Sequence, residues 1–201
     1  MLKRSWLIGL ILALLASITA SHASAAAAKK PRQATAIFAM GCFWCAEADL
    51  EKLPGVISVV SGYTGGSAAT ANYEQVSYTE TGHYEAVLVT YDPAKLRYSK
   101  LLAAFWKNVD PFDAAGQFCD KGSSYLSAIF PRTKSEIIAA NASKKHLERH
   151  FKRKLATKII TRPPFYPAED YHQDYYKVNP FRYSQYRYGC GRDARLKAIW
   201  G

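Results

Sequence analysis

The order of strand and helix patterns predicts an α+β fold: a ferredoxin-like split βαβ sandwich with an added helix and a long irregular C-terminal tail. Three observations carry that reading. A β-α-β-β-α-β succession of hydrophobic patterns runs from residue 34 to residue 130, a helix with a capping-box start follows, and a Pro- and Tyr-rich run without a period closes the chain. Composition agrees with one sizeable core. Of 201 residues, 49% are hydrophobic and 21% charged, which is too apolar for disorder. No apolar run of about 18 residues lies in the body of the chain, and 4 cysteines are too few for a disulfide scaffold.

Residues 1–25 read as a cleaved secretory signal. Lys3 and Arg4 form a positive start, Trp6 to Ala20 is apolar, and Ala23-Ser24-Ala25 has the small-x-small form that a signal peptidase cuts. Residues 26–33 are then a flexible leader and residues 34–201 a single catalytic domain. The mature protein is expected to cross the inner membrane, to work in the periplasm, and to keep no stable membrane insertion.

Within the domain, Ala34 to Ala39 reads as a buried strand. Phe43 to Leu53 reads as a helix, with Phe43, Ala46, Leu50 and Leu53 on one stripe and Pro54-Gly55 as the stop. Val56 to Gly62 is β-branched and runs into a glycine-rich loop. Tyr84 to Tyr91 alternates and ends at Asp92-Pro93. Ser99 can cap a helix reaching Val109, and Tyr125 to Phe130 is a short apolar strand stopped by Pro131. Thr133 and Glu136 have capping-box spacing and open a long helix carrying Leu147, Phe151 and Leu155. Arg132 to Lys158 holds 9 Lys or Arg against 2 Glu; it reads as a solvated helix face, not as a nucleic-acid site. Thr157 to Thr161 can add a strand. From Pro163 onward, where 7 of the 14 tyrosines lie between Tyr166 and Tyr188, an irregular tail is expected over the sheet.

The chemistry concentrates at Met40-Gly41-Cys42-Phe43-Trp44-Cys45-Ala46-Glu47. A strand ends, glycine turns the chain, and Cys42 stands where a helix begins. Free amides and the helix dipole there favour an anion, so a lowered thiol pKa is expected. The spacing of Cys42 and Cys45 also fits a thiol–disulfide oxidoreductase pair, though without Gly-Pro between the cysteines. A zinc-stabilised binding module is the other alternative, weakened because Cys119 and Cys190 form no second paired knuckle.

Gly41-Cys42-Phe43-Trp44 followed by Ala46-Glu47 resembles the signature of the peptide-methionine (S)-S-oxide reductases, the methionine sulfoxide reductase A family. Further blocks resemble that family in its order: Ser61 to Gly66, Tyr73 to Val76, Thr81 to Val87, Tyr91 to Pro93, Asp120 to Ile129, and Ala168 to Tyr175. The resemblance implies a reductase that returns methionine S-sulfoxide, protein-bound or free, to methionine and so repairs oxidised proteins. Cys42 would be the nucleophile, Glu85 the acid that protonates the leaving oxygen, and Tyr73, Tyr125 and Asp120 the remaining polar group. Phe43 and Trp44 would form the apolar wall around the substrate methyl. No cofactor and no metal is implied. Attack leaves a sulfenic acid on Cys42, which a second thiol closes to a disulfide for an external, thioredoxin-like dithiol to reduce. Cys190, in a flexible Gly-Cys-Gly setting, is the favoured resolving thiol, with Cys45 and Cys119 as the other candidates. The partners expected are oxidised proteins and that reductant, around a monomer.

Overall fold

The computed structural model describes residues 32–201. The expected secretion signal and the leader up to residue 31 lie outside the described residues.

The first strand, β1 (Ala34–Met40), is buried as its sequence predicts: Ala36, Phe38 and Met40 face one side of the sheet, Ile37 and Ala39 the other. Helix α1 (Phe43–Leu50) follows and is buried almost all round. It ends before Pro54, whose fixed φ and missing N–H cannot continue it. Strand β2 (Val56–Thr64) runs two residues further than Gly62, through part of the expected loop. A short helix that carried no periodic signal, α2 (Tyr73–Tyr78), is capped by the Asn72 side chain, which accepts from the Gln75 N–H. Then come β3 (Tyr84–Tyr91) and α3 (Tyr98–Lys107). Ser99 does not cap α3; the chain turns at Arg97 without a side-chain cap.

A two-residue hairpin, β4 (Gly116–Gln117) and β5 (Asp120–Lys121), precedes β6 (Ser127–Phe130). Tyr125, expected inside that strand, sits in a 3-10 turn just before it. Helix α4 (Lys134–Phe151) opens on the predicted capping box, with Thr133 accepting from the Glu136 N–H and Glu136 accepting from the Thr133 N–H. Short strands β7 (Lys158–Ile159) and β8 (Phe165–Pro167) follow.

The tail corrects the sequence reading. It is helical: α5 (Tyr175–Val178), α6 (Pro180–Gly189) and α7 (Arg192–Trp200). Pro180 stands at the first position of α6, where its missing N–H costs nothing. No residue of α6 is fully buried, so the helix shows none of the apolar periodicity by which a sequence announces one.

The main sheet has the order β7-β6-β1-β3-β2-β8. All neighbours are antiparallel except β6 and β7. Helices α1, α3 and α4 cover one face around Phe38, Met40, Leu50, Leu101 and Phe105. On the other face Ile37, Ala39, Ala86, Ala128 and Phe130 pack beneath Ile160 and Phe165. The mixed α+β architecture thus buries an apolar cluster on each face of the sheet. Among the described residues, no helix is long and apolar enough to cross a membrane.

Candidate active site

The site forms where β1 hands the chain to α1. Gly41 makes the turn with φ +79°, and a Cβ there would lie 2.6 Å from the Gln117 side chain, so only glycine fits. Cys42 is the residue before the first turn of α1, and its carbonyl accepts from the Cys45 and Ala46 N–H groups at 3.2 and 3.3 Å. One free amide of that turn, the Phe43 N–H, donates to Glu85 Oε2 at 3.0 Å. Glu85 arrives from β3, paired with Tyr63, and is 2% exposed. Burial, reinforced by Asp120 and Cys45, pushes its carboxyl up to about 8, although the Phe43 N–H works against the shift. Glu85 is therefore an acid at neutral pH.

The two thiols of α1 diverge. Burial, followed by the hydrogen bond to Cys45 and then the Cys45 and Glu85 charges, raises the Cys42 thiol well above its ordinary value, with a Tyr186 hydrogen bond opposing. That direction is opposite to the lowering expected at a helix start, because burial at 6% exposure disfavours the thiolate. Cys45 moves the other way, to about 7, because its sulfur accepts a hydrogen bond from Cys42 and because Arg192 and Arg187 lie near; burial and Asp49 oppose this.

Around them stands an aromatic box. The Trp44 indole N–H donates to His172 Nδ1 at 3.0 Å, which leaves the ring proton of His172 on Nε2. Trp44 stacks on Tyr175 at 3.7 Å with the planes 5° apart and meets Tyr186 edge-on. The Phe43 ring lies 4.9 Å from that of His172, and Tyr73 lies 4.4 Å from it on another side. Burial lowers the His172 pKa, so the ring is neutral and serves as a wall. Glu169 accepts from the Tyr63 hydroxyl at 2.8 Å and the Tyr73 N–H at 2.9 Å, which fixes the start of α2 and aims Tyr73 inward.

Cys42, Phe43, Trp44, Tyr73, Glu85, Asp120 and Tyr125, all singled out from the sequence, line one cavity of about 70 Å³. That is roughly twice the ~30 Å³ of a liquid water, enough for a group of a few heavy atoms. The eighth lining residue, Tyr186, was not anticipated. It reaches over from α6 and donates its hydroxyl to Asp120 Oδ2 at 2.5 Å. No sequence signal separates Tyr186 from the six other tyrosines of the tail. His172, Tyr175 and Glu169 lay within a block already noted, but without roles. A larger apolar hollow of about 460 Å³, between α3, α4 and Trp200, holds no cysteine or carboxylate.

The remaining two cysteines are bonded to each other. A Cys119–Cys190 disulfide, with Cα atoms 4.8 Å apart, ties the loop between β4 and β5 to the end of α6. The sequence reading did not weigh this pairing; it considered each of the two only as a partner for Cys42. Cys45, the third candidate, lies buried and free beside Cys42. The four cysteines form two pairs, not the four-ligand cluster that a zinc module needs. The carboxylates of Glu47, Glu51 and Asp174 also gather, but Lys177 already sits 2.7 Å from Glu51 and 2.6 Å from Asp174.

The family model described as peptide methionine sulfoxide reductase matches residues 34–201. Over 192 residues the chain is 47% identical to "Peptide methionine sulfoxide reductase MsrA 2" of Caulobacter vibrioides, covering 96% of this chain and 98% of that one. It is 47% identical over 168 residues to the MsrA of Bacillus subtilis, covering 83% and 95%. Among solved structures it resembles reduced Mxr1 of Saccharomyces cerevisiae, with TM-score 0.71 and 27% identity over 75% of this chain and 87% of that one. It also resembles methionine sulfoxide reductase A of Corynebacterium diphtheriae, with TM-score 0.67 and 27% identity over 75% and 77%.

Proposed function

The chain belongs to the peptide methionine sulfoxide reductase family, and on that premise we propose how its own residues carry the reaction. The enzyme reduces methionine S-sulfoxide to methionine through cysteine chemistry that ends in a disulfide. The observation that carries the residue assignment is the single small cavity in which a thiol, a protonated carboxyl, two phenols and an apolar wall converge.

The methylsulfinyl head enters with its methyl against Phe43 and Trp44, where sulfur–aromatic contacts stabilise by roughly 0.3–1.5 kcal/mol. Its oxygen meets the Tyr73 and Tyr125 hydroxyls and Glu85. The Cys42 proton leaves along the hydrogen bond to Cys45, and the Cys42 sulfur attacks the sulfoxide sulfur. Glu85 delivers a proton to the sulfoxide oxygen, which leaves the methionine sulfur and passes as hydroxide to the Cys42 sulfur while the transient S–S bond breaks, so methionine is released and Cys42 is left as a sulfenic acid. Asp120, held by Tyr186, keeps negative charge beside Glu85 and so favours its protonated form.

Cys45 is then the resolving thiol. Its sulfur attacks Cys42, water leaves, and a Cys42–Cys45 disulfide forms. The objection that a helical i, i+3 pair is badly aimed does not apply, because Cys42 has φ −49° and ψ 122° and lies outside the helix. Cys190, favoured from the sequence, is engaged with Cys119. An external thioredoxin-like dithiol completes the cycle. The Cys119–Cys190 bond, together with the positive-then-apolar start of the chain, supports work in an oxidising space such as the periplasm. The antiparallel run β6-β1-β3-β2, with helices packed on one face, supports the ferredoxin-like description of the core.

The test is reduction of a methionine-sulfoxide peptide, S and R epimers separately, with dithiothreitol. Methionine should form from the S epimer alone. Equal turnover of both epimers, or of neither, overturns the reading.

A further inference from the structure

Asp120 reaches the cavity from an element too small to stand alone. Strands β4 and β5 pair Gly116 with Lys121 and Gln117 with Asp120, and a hairpin of that size is marginal without outside support. Its turn is Phe118-Cys119. Phe118 takes the left-handed backbone with φ +54°, which an aromatic residue keeps only where its surroundings enforce it. Strand β4 is anchored through the buried Gln117 side chain, which donates to the Asp110 and Gly116 carbonyls and accepts from the Asp110 N–H, all at 2.8 Å. Strand β5, which carries Asp120, lies nearer the surface, and its Lys121 pairs with Asp113.

Helix α6 supports the hairpin from the other side. Cys190, the residue that ends α6, is bonded to Cys119. Tyr186 lies one helical turn earlier, and its carbonyl accepts from the Cys190 N–H at 2.9 Å. The Tyr186 hydroxyl donates to Asp120 Oδ2 at 2.5 Å, and Asp120 is the chain neighbour of Cys119. Residues 119–120 and 186–190 thus close a ring through one covalent bond and one hydrogen bond. The same hydroxyl is within hydrogen-bonding reach of the Cys42 sulfur, so the ring forms one wall of the cavity. Arg192 lies over the Phe118 ring at 4.5 Å, and Arg187 ties α6 to Asp49 of α1 at 3.0 Å.

We propose that the Cys119–Cys190 disulfide is a positioning element for sulfoxide reduction: it holds the Tyr186 hydroxyl on Asp120 and so closes the cavity beside Cys42 and Glu85. This rests on the reading of that cavity as the sulfoxide site. Neither Cys119 nor Cys190 lines the cavity, so the bond acts through Tyr186 and Asp120 and not on substrate. Arg187 fixes α6 against α1, the disulfide fixes the hairpin against α6, and Asp120 needs both. Once the bond is opened, Phe118 can leave its left-handed conformation and β5 can draw back from α6, which admits water beside Glu85. Asp120 then loses the hydrogen bond that favours its charge, and that charge helps to keep Glu85 protonated.

The experiment is single-turnover methionine formation from an S-sulfoxide peptide, without reductant, on protein carrying its two free thiols per chain. Rates are followed against peptide concentration and pH through a double-mutant cycle: the unaltered enzyme, Tyr186→Phe, Cys119→Ser with Cys190→Ser, and all these changes together. Tyr186→Phe should lower the rate at limiting peptide about tenfold, because a hydrogen bond to a charged group is lost. The disulfide-free protein should lose about three- to tenfold, and adding Tyr186→Phe to it should cost less than about twofold more. In both, the alkaline limb should move below the value of about 8 that Glu85 sets. Loosening that does not reach Tyr186 and Asp120 would leave that limb in place. If the disulfide-free protein does not fold, unaltered enzyme treated with dithiothreitol and desalted takes its place. The reagent is oxidised as it opens the bond to two thiols, and the same losses should appear. Losses that multiply, or an unchanged rate without the bond, overturn the proposal only. No methionine from the S epimer with the unaltered enzyme overturns the reading of the cavity itself.

Discussion

Glu85 must be a carboxylic acid when the sulfoxide arrives, and burial at 2% exposure keeps it one up to a pH of about 8. Cys45 ionises near 7, so the rate should follow a bell in pH with its maximum between about 7 and about 8. Glu85→Gln should lower the rate at saturating substrate by roughly 10²–10⁴-fold, with little change in binding, and should remove the alkaline limb. Steady-state kinetics across pH check this; a rate within about twofold of the unaltered enzyme means another group is the acid. The same burial has a thermodynamic sign. The folded protein holds the Glu85 proton after an unfolded glutamate, ionising near 4.3, has lost it. This group's contribution to stability is therefore full below about 4.3 and declines as pH rises toward about 8. Cys42 was legible from its place between a strand and a helix, whereas Phe43, Trp44, Tyr73, Glu85, Asp120 and Tyr125 were legible only through the family resemblance, since each alone reads as packing or a surface charge. Tyr186 and Arg192 were not legible. Their importance comes from what the tail folds against, and a lone tyrosine or arginine in a basic, Tyr-rich segment carries no mark of that.

Cys42 stands at the mouth of helix α1, which itself contributes Cys45 and the apolar wall of Phe43 and Trp44, and the tail packs further groups against it. Tyr186, Arg187 and Arg192 all arrive on α6 and α7, elements whose amphipathic signal is too weak to read from the sequence. The capping box of α4, the apolar run of β1 and the alternation of β3 are local, and they were read correctly for that reason. The Cys119–Cys190 disulfide spans 71 residues and fastens the end of α6 to the hairpin that carries Asp120. Its removal should cost about 2–4 kcal/mol of stability, because a long closed loop restricts the unfolded chain. Cys119→Ser with Cys190→Ser should therefore melt at lower temperature and exchange the amides of α6 faster. It should still make the Cys42–Cys45 disulfide. Calorimetry and hydrogen exchange check the first two outcomes; loss of the disulfide in peptide mapping would contradict the third.

At the scale of the whole molecule, the strand order β6-β1-β3-β2 places Met40 and Glu85 on adjacent strands, so the end of β1 and the start of β3 open on the same site. That adjacency is a non-local pairing, which hydrophobic alternation marks as two strands without saying that they are neighbours. The two-faced core holds β1 and β3 rigid, so the distance between the thiol and the acid is set by the sheet and not by a loop. In this mechanism Cys42 takes the sulfoxide oxygen and Cys45 closes the disulfide. Quenching the enzyme after reaction with excess S-sulfoxide peptide, without reductant, tests this most directly. The expected result is one methionine per chain, loss of the Cys42 and Cys45 thiols together, and a tryptic Cys42–Cys45 disulfide, with Cys42→Ser producing no methionine. Methionine formed by Cys42→Ser, or a disulfide joining Cys42 to Cys119 or Cys190, would contradict it.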